Sequence, residues 1–138
     1  VTGPRAAVVG SPVAHSLSPV LHSAAYRELG LSGWTFDRVE CGAEDLPALV
    51  AALGDEWVGL AVTMPGKRAA LALADERTQR AVAVGAANTL VPLGDGRWRA
   101  DCTDVAGVTG ALTAAGGYRP VPGATGLVLG AGGTAAAA

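Results

Sequence analysis

A chain of 138 residues, half of them hydrophobic, can bury one ordinary core and has no room for two full-sized domains. Its formal net charge of −2 gives no case for a nucleic-acid or membrane surface, and no stretch approaches the ~20 apolar residues of a spanning helix. The first apolar run, Ala6 to Val9, is too short for a signal peptide, and Cys41 and Cys102 have neither a paired framework nor metal-ligand spacing, so reduced thiols in a cytoplasmic setting are expected.

In chain order, the pattern alternates strand and helix. Ala6-Ala7-Val8-Val9, ending in Gly10, reads as a strand buried on both faces. Ser18-Pro19 opens a helix, serine able to cap and proline suited to the first helical position; Leu21, Ala24, Ala25 and Leu29 fall on one face, and Gly30 ends it. Trp34 to Cys41 is a second strand, and Glu44 to Leu53 a second helix if Pro47 falls in its first turn. Trp57 to Thr63 is a third strand, Pro65 to Ala74 a third helix, and Asp75 caps a short helix that Gly85 stops. Asn88 to Pro92 and Arg97 to Ala100 flank a glycine-rich turn as a hairpin, and Val105 to Ala115 is a further helix. Tyr118 to Thr125, with two prolines and a glycine, is the best linker, after which Leu127-Val128-Leu129 restarts as a buried strand. The layout predicts an α/β domain over 1–117, a linker over 118–125 and a second unit from 126 to 138, cut short. Its sheet is expected to be open and mostly parallel, with helices on both faces.

Gly130-x-Gly132-x-x-Ala135 matches the dinucleotide fingerprint, alanine taking the third small position. The first small residue permits the tight turn, the second lets the backbone approach a pyrophosphate, and the third lets helix and strand pack closely. Gly130, Ala131, Gly132, Gly133 and Ala135 are therefore the candidate cofactor-binding residues of a Rossmann-like unit. The residue that reads the ribose lies about 20 positions further on, so cofactor identity is not legible here.

Lys67 is the one lysine against nine arginines, and it sits where a strand gives way to a helix. Arginine stays protonated, whereas a lysine amine can exchange a proton; by count alone Lys67 reads as a chance residue on a solvated helix start, and the motifs around it are what turn the reading to chemistry. Four polar segments end apolar runs: His15-Ser16-Leu17-Ser18-Pro19, Val62-Thr63-Met64-Pro65-Gly66-Lys67, Gly85-Ala86-Ala87-Asn88-Thr89 and Asp101-Cys102-Thr103-Asp104. Strand C-termini share one edge in a parallel sheet, where ligands of open α/β folds bind. Hydroxyls, an amide, one amine and one carboxylate meeting there suit a small polyhydroxylated acid.

With these segments the chain resembles the substrate half of the shikimate dehydrogenases, which reduce 3-dehydroshikimate to shikimate with NADPH. The matching text is Gly10 to His22, Val62 to Lys67, Gly85 to Thr89, Thr103 to Gly107 and Gly130 to Thr134, in family order and over the whole chain. The resemblance implies an NADP-dependent oxidoreductase of chorismate and aromatic amino acid biosynthesis, with the 138-residue piece inactive alone. It implies that Ser16 and Ser18 donate to the substrate carboxylate and that Thr63 and Asn88 contact the carboxylate end or the ring hydroxyls. Lys67 and Asp104 would flank the reacting oxygen as the catalytic pair. Each has a plainer use: Ser18 as a helix cap, Thr63 and Asn88 as partners of backbone groups at strand ends, Asp104 as the cap of the helix from Val105. The ordered pattern favours function for all but Thr63, which stands evenly.

Two departures from the family pattern are Ala61 and Cys102, each where asparagine is usual, which puts hydrogen bonding around Lys67 and Asp104 in question. His15 and His22 lie seven apart, unlike a two-histidine metal face, so structural hydrogen bonding is expected of both and no metal is assigned. The rival readings are a quinate or dual quinate/shikimate dehydrogenase, which Ser18 disfavours because threonine tends to accompany quinate use, and a non-catalytic hydroxy-acid-binding module. Oligomeric state is open between monomer and homodimer.

Overall fold

The computed structural model describes residues 3–138. Six strands form one sheet in the order β2-β1-β3-β5-β6-β4, with β1 at Arg5–Gly10, β2 at Thr35–Glu40, β3 at Trp57–Val62, β4 at Glu76–Arg77, β5 at Thr89–Gly94 and β6 at Arg97–Asp101. Between them lie α1 (Ser18–Glu28), α2 (Leu46–Ala51), α3 (Lys67–Leu73) and α4 (Gln79–Val84); α5 (Asp104–Gly110) runs into a π-helical turn at Ala111–Ala115, and α6 is Gly133–Ala137. The pairs β1–β2, β1–β3 and β4–β6 are parallel, whereas β3–β5 and β5–β6 are antiparallel, so β5 alone runs against the rest. The mostly parallel sheet read from the sequence is present, and the glycine-rich hairpin is what reverses β5.

Alternation along the strands divides the core. Ala7 and Val9 of β1 face the larger cluster, where Leu46 and Val50 of α2, Ala70 of α3 and Ala81 of α4 cover the sheet. Ala6 and Val8 face the smaller one, built with Val13, Phe36 and Tyr26 of α1. Helices therefore lie on both faces. In β3 the pairing with β1 skips Val58, a bulge that puts Trp57 and Leu60 on the same side although they are three apart. Leu46 and Leu90 are fully enclosed, a burial that stabilises by about 1.5–3 kcal/mol per side chain.

Several expectations fail for identifiable reasons. The apolar residues Leu21, Ala24, Ala25 and Leu29 of α1 face solvent. Against the sheet α1 places His22, whose ring stacks on Phe36 at 3.8 Å, and Tyr26, because ring faces cover more sheet than a leucine–alanine stripe does. Ser18 begins α1 without capping it; Ser16 Oγ accepts the Ser18 amide at 3.3 Å instead. Asp75 does not cap α4, for its carboxylate accepts the Trp98 amide at 2.8 Å and β4 intervenes. Thr78 caps α4 through the Ala81 amide, and Gly85 ends it at φ 71°, a conformation that disfavours any side chain. Pro65 precedes α3, since the Gly66 amide closes a turn onto the Thr63 carbonyl at 2.9 Å and helix begins only at Lys67. Leu127 to Leu129 is not a strand and is largely exposed, because no strand among the described residues runs beside it to take its backbone hydrogen bonds. Ala137 of α6 packs back on the larger cluster. No helix among the described residues is long and apolar enough to cross a membrane.

Candidate active site

The site lies at the edge where β1, β3 and β6 end. Because β5 is antiparallel, its start shares that edge, which brings Asn88 beside the residues that follow β6. Two backbone bonds lock the corner: the Val62 amide donates to the Asn88 carbonyl at 2.7 Å, and the Asn88 amide to the Asp101 carbonyl at 3.0 Å.

Lys67 is the first residue of α3, a position at which a cation meets the unfavourable end of the helix dipole. Asp104, in the first turn of α5, meets the favourable one. The Lys67 ammonium donates to Asp104 Oδ2 at 2.5 Å, with the two side chains only 14 % and 20 % exposed. The ion pair thus offsets a placement that helix formation alone would not choose. Asn88 Nδ2 donates to Asp104 Oδ1 at 2.8 Å, so both carboxylate oxygens are engaged. The Asn88 amide can point only one way, since its Oδ1 accepts the Thr103 backbone N–H at 2.9 Å.

Two participants were not singled out from the sequence. Thr103 closes the ring with Asn88, its hydroxyl 2.9 Å from Asn88 Nδ2. Thr134 accepts from the Lys67 ammonium at 3.0 Å across 67 residues of chain. The signal for Thr134 was its place inside the glycine fingerprint; nothing local marks its partner. An ammonium has three donors, and with Asp104 and Thr134 taking two, the third remains for a ligand.

Thr63, Met64, Pro65, Lys67 and Arg68 line one side of a cavity of about 510 Å³, and Leu129 to Ala135 line the other. Gly130 has φ 129°, and a Cβ on Gly133 would lie 2.9 Å from Lys67 Cδ, so the glycine turn comes close against the lysine side chain. Ser16, Ser18, Asn88 and Asp104 are not in that lining. Ser16 sits on the neighbouring β1–α1 loop and Ser18 begins α1, their hydroxyls 3.2 Å apart, and the Ser11 amide joins this loop to the β3–α3 loop through the Met64 carbonyl at 2.9 Å. The Ser11–Pro12 and Met64–Pro65 peptide bonds are cis. Gly10 is pressed between the loops, for a Cβ there would fall 2.3 Å from Thr63 Cγ2 and 2.7 Å from the Met64 carbonyl.

The two departures from the family pattern leave the pair intact. Cys102 is enclosed in the larger cluster and Ala61 packs against the smaller, while Asp104 draws its second partner from Asn88. No buried side-chain polar atom among the described residues lacks a hydrogen-bond partner. Burial pushes the Cys41 thiol up, helped by the nearby Asp45 carboxylate. The Arg80 guanidinium holds the Asp101 carboxyl well below the usual range, with the Thr78 hydroxyl and the Cys102 amide adding to it. His22 takes a structural place: its Nδ1, 2.8 Å from the Ser18 carbonyl, must carry the proton.

A sequence profile of the shikimate dehydrogenase substrate-binding domain matches residues 8–90, which contain the serine loop, Thr63, Lys67 and Asn88. The chain belongs to this family. Within it, the shikimate dehydrogenase (NADP(+)) of Methylobacterium radiotolerans is 45 % identical over 140 residues, covering 99 % of this chain and 49 % of the relative. A pentafunctional AROM polypeptide of Candida tropicalis is 46 % identical over 131 residues, covering 95 % of the chain and 8 % of that much longer protein. A crystal structure of the family from Thermus thermophilus, in complex with NADP(H) and shikimate, superposes with a TM-score of 0.85 at 39 % identity, over 97 % of this chain and 49 % of the other. The chain spans about half the length of these dedicated shikimate dehydrogenases.

Proposed function

We propose that this chain is the substrate-binding domain of an NADP-dependent shikimate dehydrogenase that reduces 3-dehydroshikimate to shikimate, residues 126–138 being the start of its dinucleotide-binding unit. The observation that carries the reading is the Lys67–Asp104 pair, one ammonium donor to spare, with Lys67 lining a cavity that it shares with the glycine turn. The relatives' names and the NADP(H)–shikimate complex of the Thermus thermophilus enzyme support the same substrate and cofactor. A cytoplasmic setting belongs to this reading and is supported by two buried thiols, Cys41 and Cys102, without disulfide partners.

Gly130, Ala131, Gly132, Gly133 and Ala135 fit a dinucleotide: the turn is open to the cavity, and a Cβ on Gly133 would crowd the Lys67 side chain. When bound, a dinucleotide held there would supply the hydride for the ketone carbon. The chain's own residues do the rest. Ser16 and Ser18 donate to the substrate carboxylate; Asn88 and Thr63 contact the carboxylate end or the ring hydroxyls. Asp104 orients the reacting oxygen beside Lys67, which gives the developing alkoxide its proton and, while charged, stabilises it.

The test is the absorbance of the reduced nicotinamide on the complete gene product, with shikimate and quinate offered separately, for wild type, Lys67→Arg and Lys67→Met. Arginine keeps the charge but cannot readily exchange a proton; methionine removes both. Both variants should lose kcat by roughly 10²–10⁴-fold with KM for shikimate little changed, as for a general acid–base group. Near-wild-type kcat in the arginine variant would overturn the acid–base role, and no turnover of shikimate by the wild type would overturn the function.

A further inference from the structure

Of the two serines of the carboxylate subsite, Ser18 begins α1 and Ser16 lies on the loop before it, which runs from Gly10 with little regular structure of its own. A hydroxyl on a mobile loop makes a poor anion receptor, because ordering it on binding costs conformational entropy. Something must hold the loop beforehand, and its internal contacts are sparse: the Ser16 amide donates to the Val13 carbonyl at 3.0 Å, and the two serine hydroxyls meet.

Val13 is anchored in the smaller core cluster and the Ser11 amide on the Met64 carbonyl, and the remaining polar contacts come from β2. Arg38 and Glu40 are two apart on that strand, so their side chains leave the same face, opposite Val8 and Gly10 of β1. Glu40 spends both oxygens on the first half of the loop: Oε1 accepts from the Ser11 hydroxyl at 2.6 Å and Oε2 from the Val13 amide at 3.0 Å. Arg38 spends two donors on its end: Nε reaches the Ser16 carbonyl at 2.9 Å and Nη2 the same oxygen at 2.5 Å. Both side chains are exposed and neither is itself part of the core. Surface groups of this kind are ordinarily worth little to a fold, and here every polar contact they share with the loop falls on the segment that presents Ser16.

We propose that Glu40 and Arg38 are positioning residues for carboxylate recognition: acting through the backbone at Val13 and Ser16 and through the Ser11 hydroxyl, they hold the serine loop ready before substrate arrives. The proposal rests on the reading of Ser16 and Ser18 as carboxylate donors.

Two measurements on the same variants separate the proposal from that reading. In the ligand-free chain, amide hydrogen exchange at Ser16 to Ser18 should speed up by roughly tenfold in Glu40→Ala and Arg38→Met, the loss expected when a charge-assisted bond is removed. Exchange in β1 and β3 should be unchanged. In shikimate titrations the same variants should bind about tenfold more weakly. Glu40→Gln, which keeps one acceptor, and Arg38→Lys, which keeps one donor, should recover part of the loss. In a Ser16→Ala background Glu40→Ala should cost far less than in the wild type, because the hydroxyl it positions is gone. Unchanged exchange in the loop would overturn the proposal, as would an equal affinity loss with and without Ser16. A wild-type chain that binds no shikimate would sink the functional reading alone and leave the exchange result to decide whether β2 holds the loop.

Discussion

The Lys67–Asp104 pair makes a quantitative prediction. Asp104→Asn keeps the size of the side chain but leaves it one carbonyl and one amino group. Asp104 now accepts from the Lys67 ammonium at 2.5 Å and from Asn88 Nδ2 at 2.8 Å. An amide can accept on only one side. If its oxygen turns to Lys67, its amino group confronts that of Asn88; if it turns to Asn88, the amino group confronts the ammonium. Breaking a fully buried ion pair by removing one partner costs about 3–5 kcal/mol. These side chains keep 14 % and 20 % of their exposure, so water recovers part of that and the loss should be about 2 kcal/mol. For a chain of this length that lowers Tm by roughly 6–10 °C. Lys67→Met should cost about 1–2 kcal/mol, because Asp104 then keeps Asn88 as a partner. The double variant should lose less than the sum, by a coupling of about 1–2 kcal/mol, since neither orphaned charge remains. Urea denaturation at pH 7, read as the shift in midpoint at constant slope, measures all three. Additivity within about 0.5 kcal/mol would refute the contact and with it the geometry of the proposed mechanism.

Gly10→Ala should lower stability by about 1–3 kcal/mol and weaken shikimate binding, because its methyl group would force the β1–α1 and β3–α3 loops apart; a wild-type melting temperature would show that the loops do not meet so closely. Asp101→Asn tests the acid limb. The Asp101 carboxyl is held below its unfolded value, chiefly by Arg80, so its contribution is fully present above about pH 5 and is lost as pH falls below that. The variant should be less stable at pH 7 by about 1 kcal/mol, the half-exposed Arg80 keeping the figure small, and its stability should fall less steeply between about pH 5 and 2. Parallel curves of Tm against pH for variant and wild type would refute the assignment.

How much of this was legible beforehand depended on whether a feature was local. Strand β1 is a continuous apolar run ending at Gly10, and β3 is apolar apart from Gly59 in its interior; both runs persist as strands that contribute to the core. The polar segments at their ends were legible for the same reason, since each interrupts an apolar run with residues a core would not choose. The face of α1 was not. Leucine and alanine at helical spacing gave the stronger pattern, yet His22 and Tyr26 face the sheet, because which stripe packs depends on Phe36 in β2. Asp75 and Thr78 are both good capping types three residues apart, and only the pairing of β4 with β6, which engages Asp75 through Trp98, decides between them. Leu127 to Leu129 has the composition of a strand, but a strand exists only in the company of another.

Asn88 shows where a local signal and a topological one had to combine. The hairpin around Gly94-Asp95-Gly96 was readable from its turn residues, and Asp95 takes the positive φ of 52° that such a turn demands. Its consequence for the site is larger than the turn itself. Because the hairpin pairs β5 antiparallel to β6, the residue before β5 stands level with the residues after β6, and the Thr89↔Asp101 register puts Asn88 within 2.8 Å of the Asp104 carboxylate. Had β5 entered the sheet parallel to its neighbours through a crossover helix, Asn88 would lie at the opposite edge. At about 3.3 Å per residue it would then stand on the order of 15–20 Å from Asp104. The amide that engages the second oxygen of the Asp104 carboxylate is therefore a product of the strand reversal, and lengthening the turn would leave it in place while changing the register would remove it.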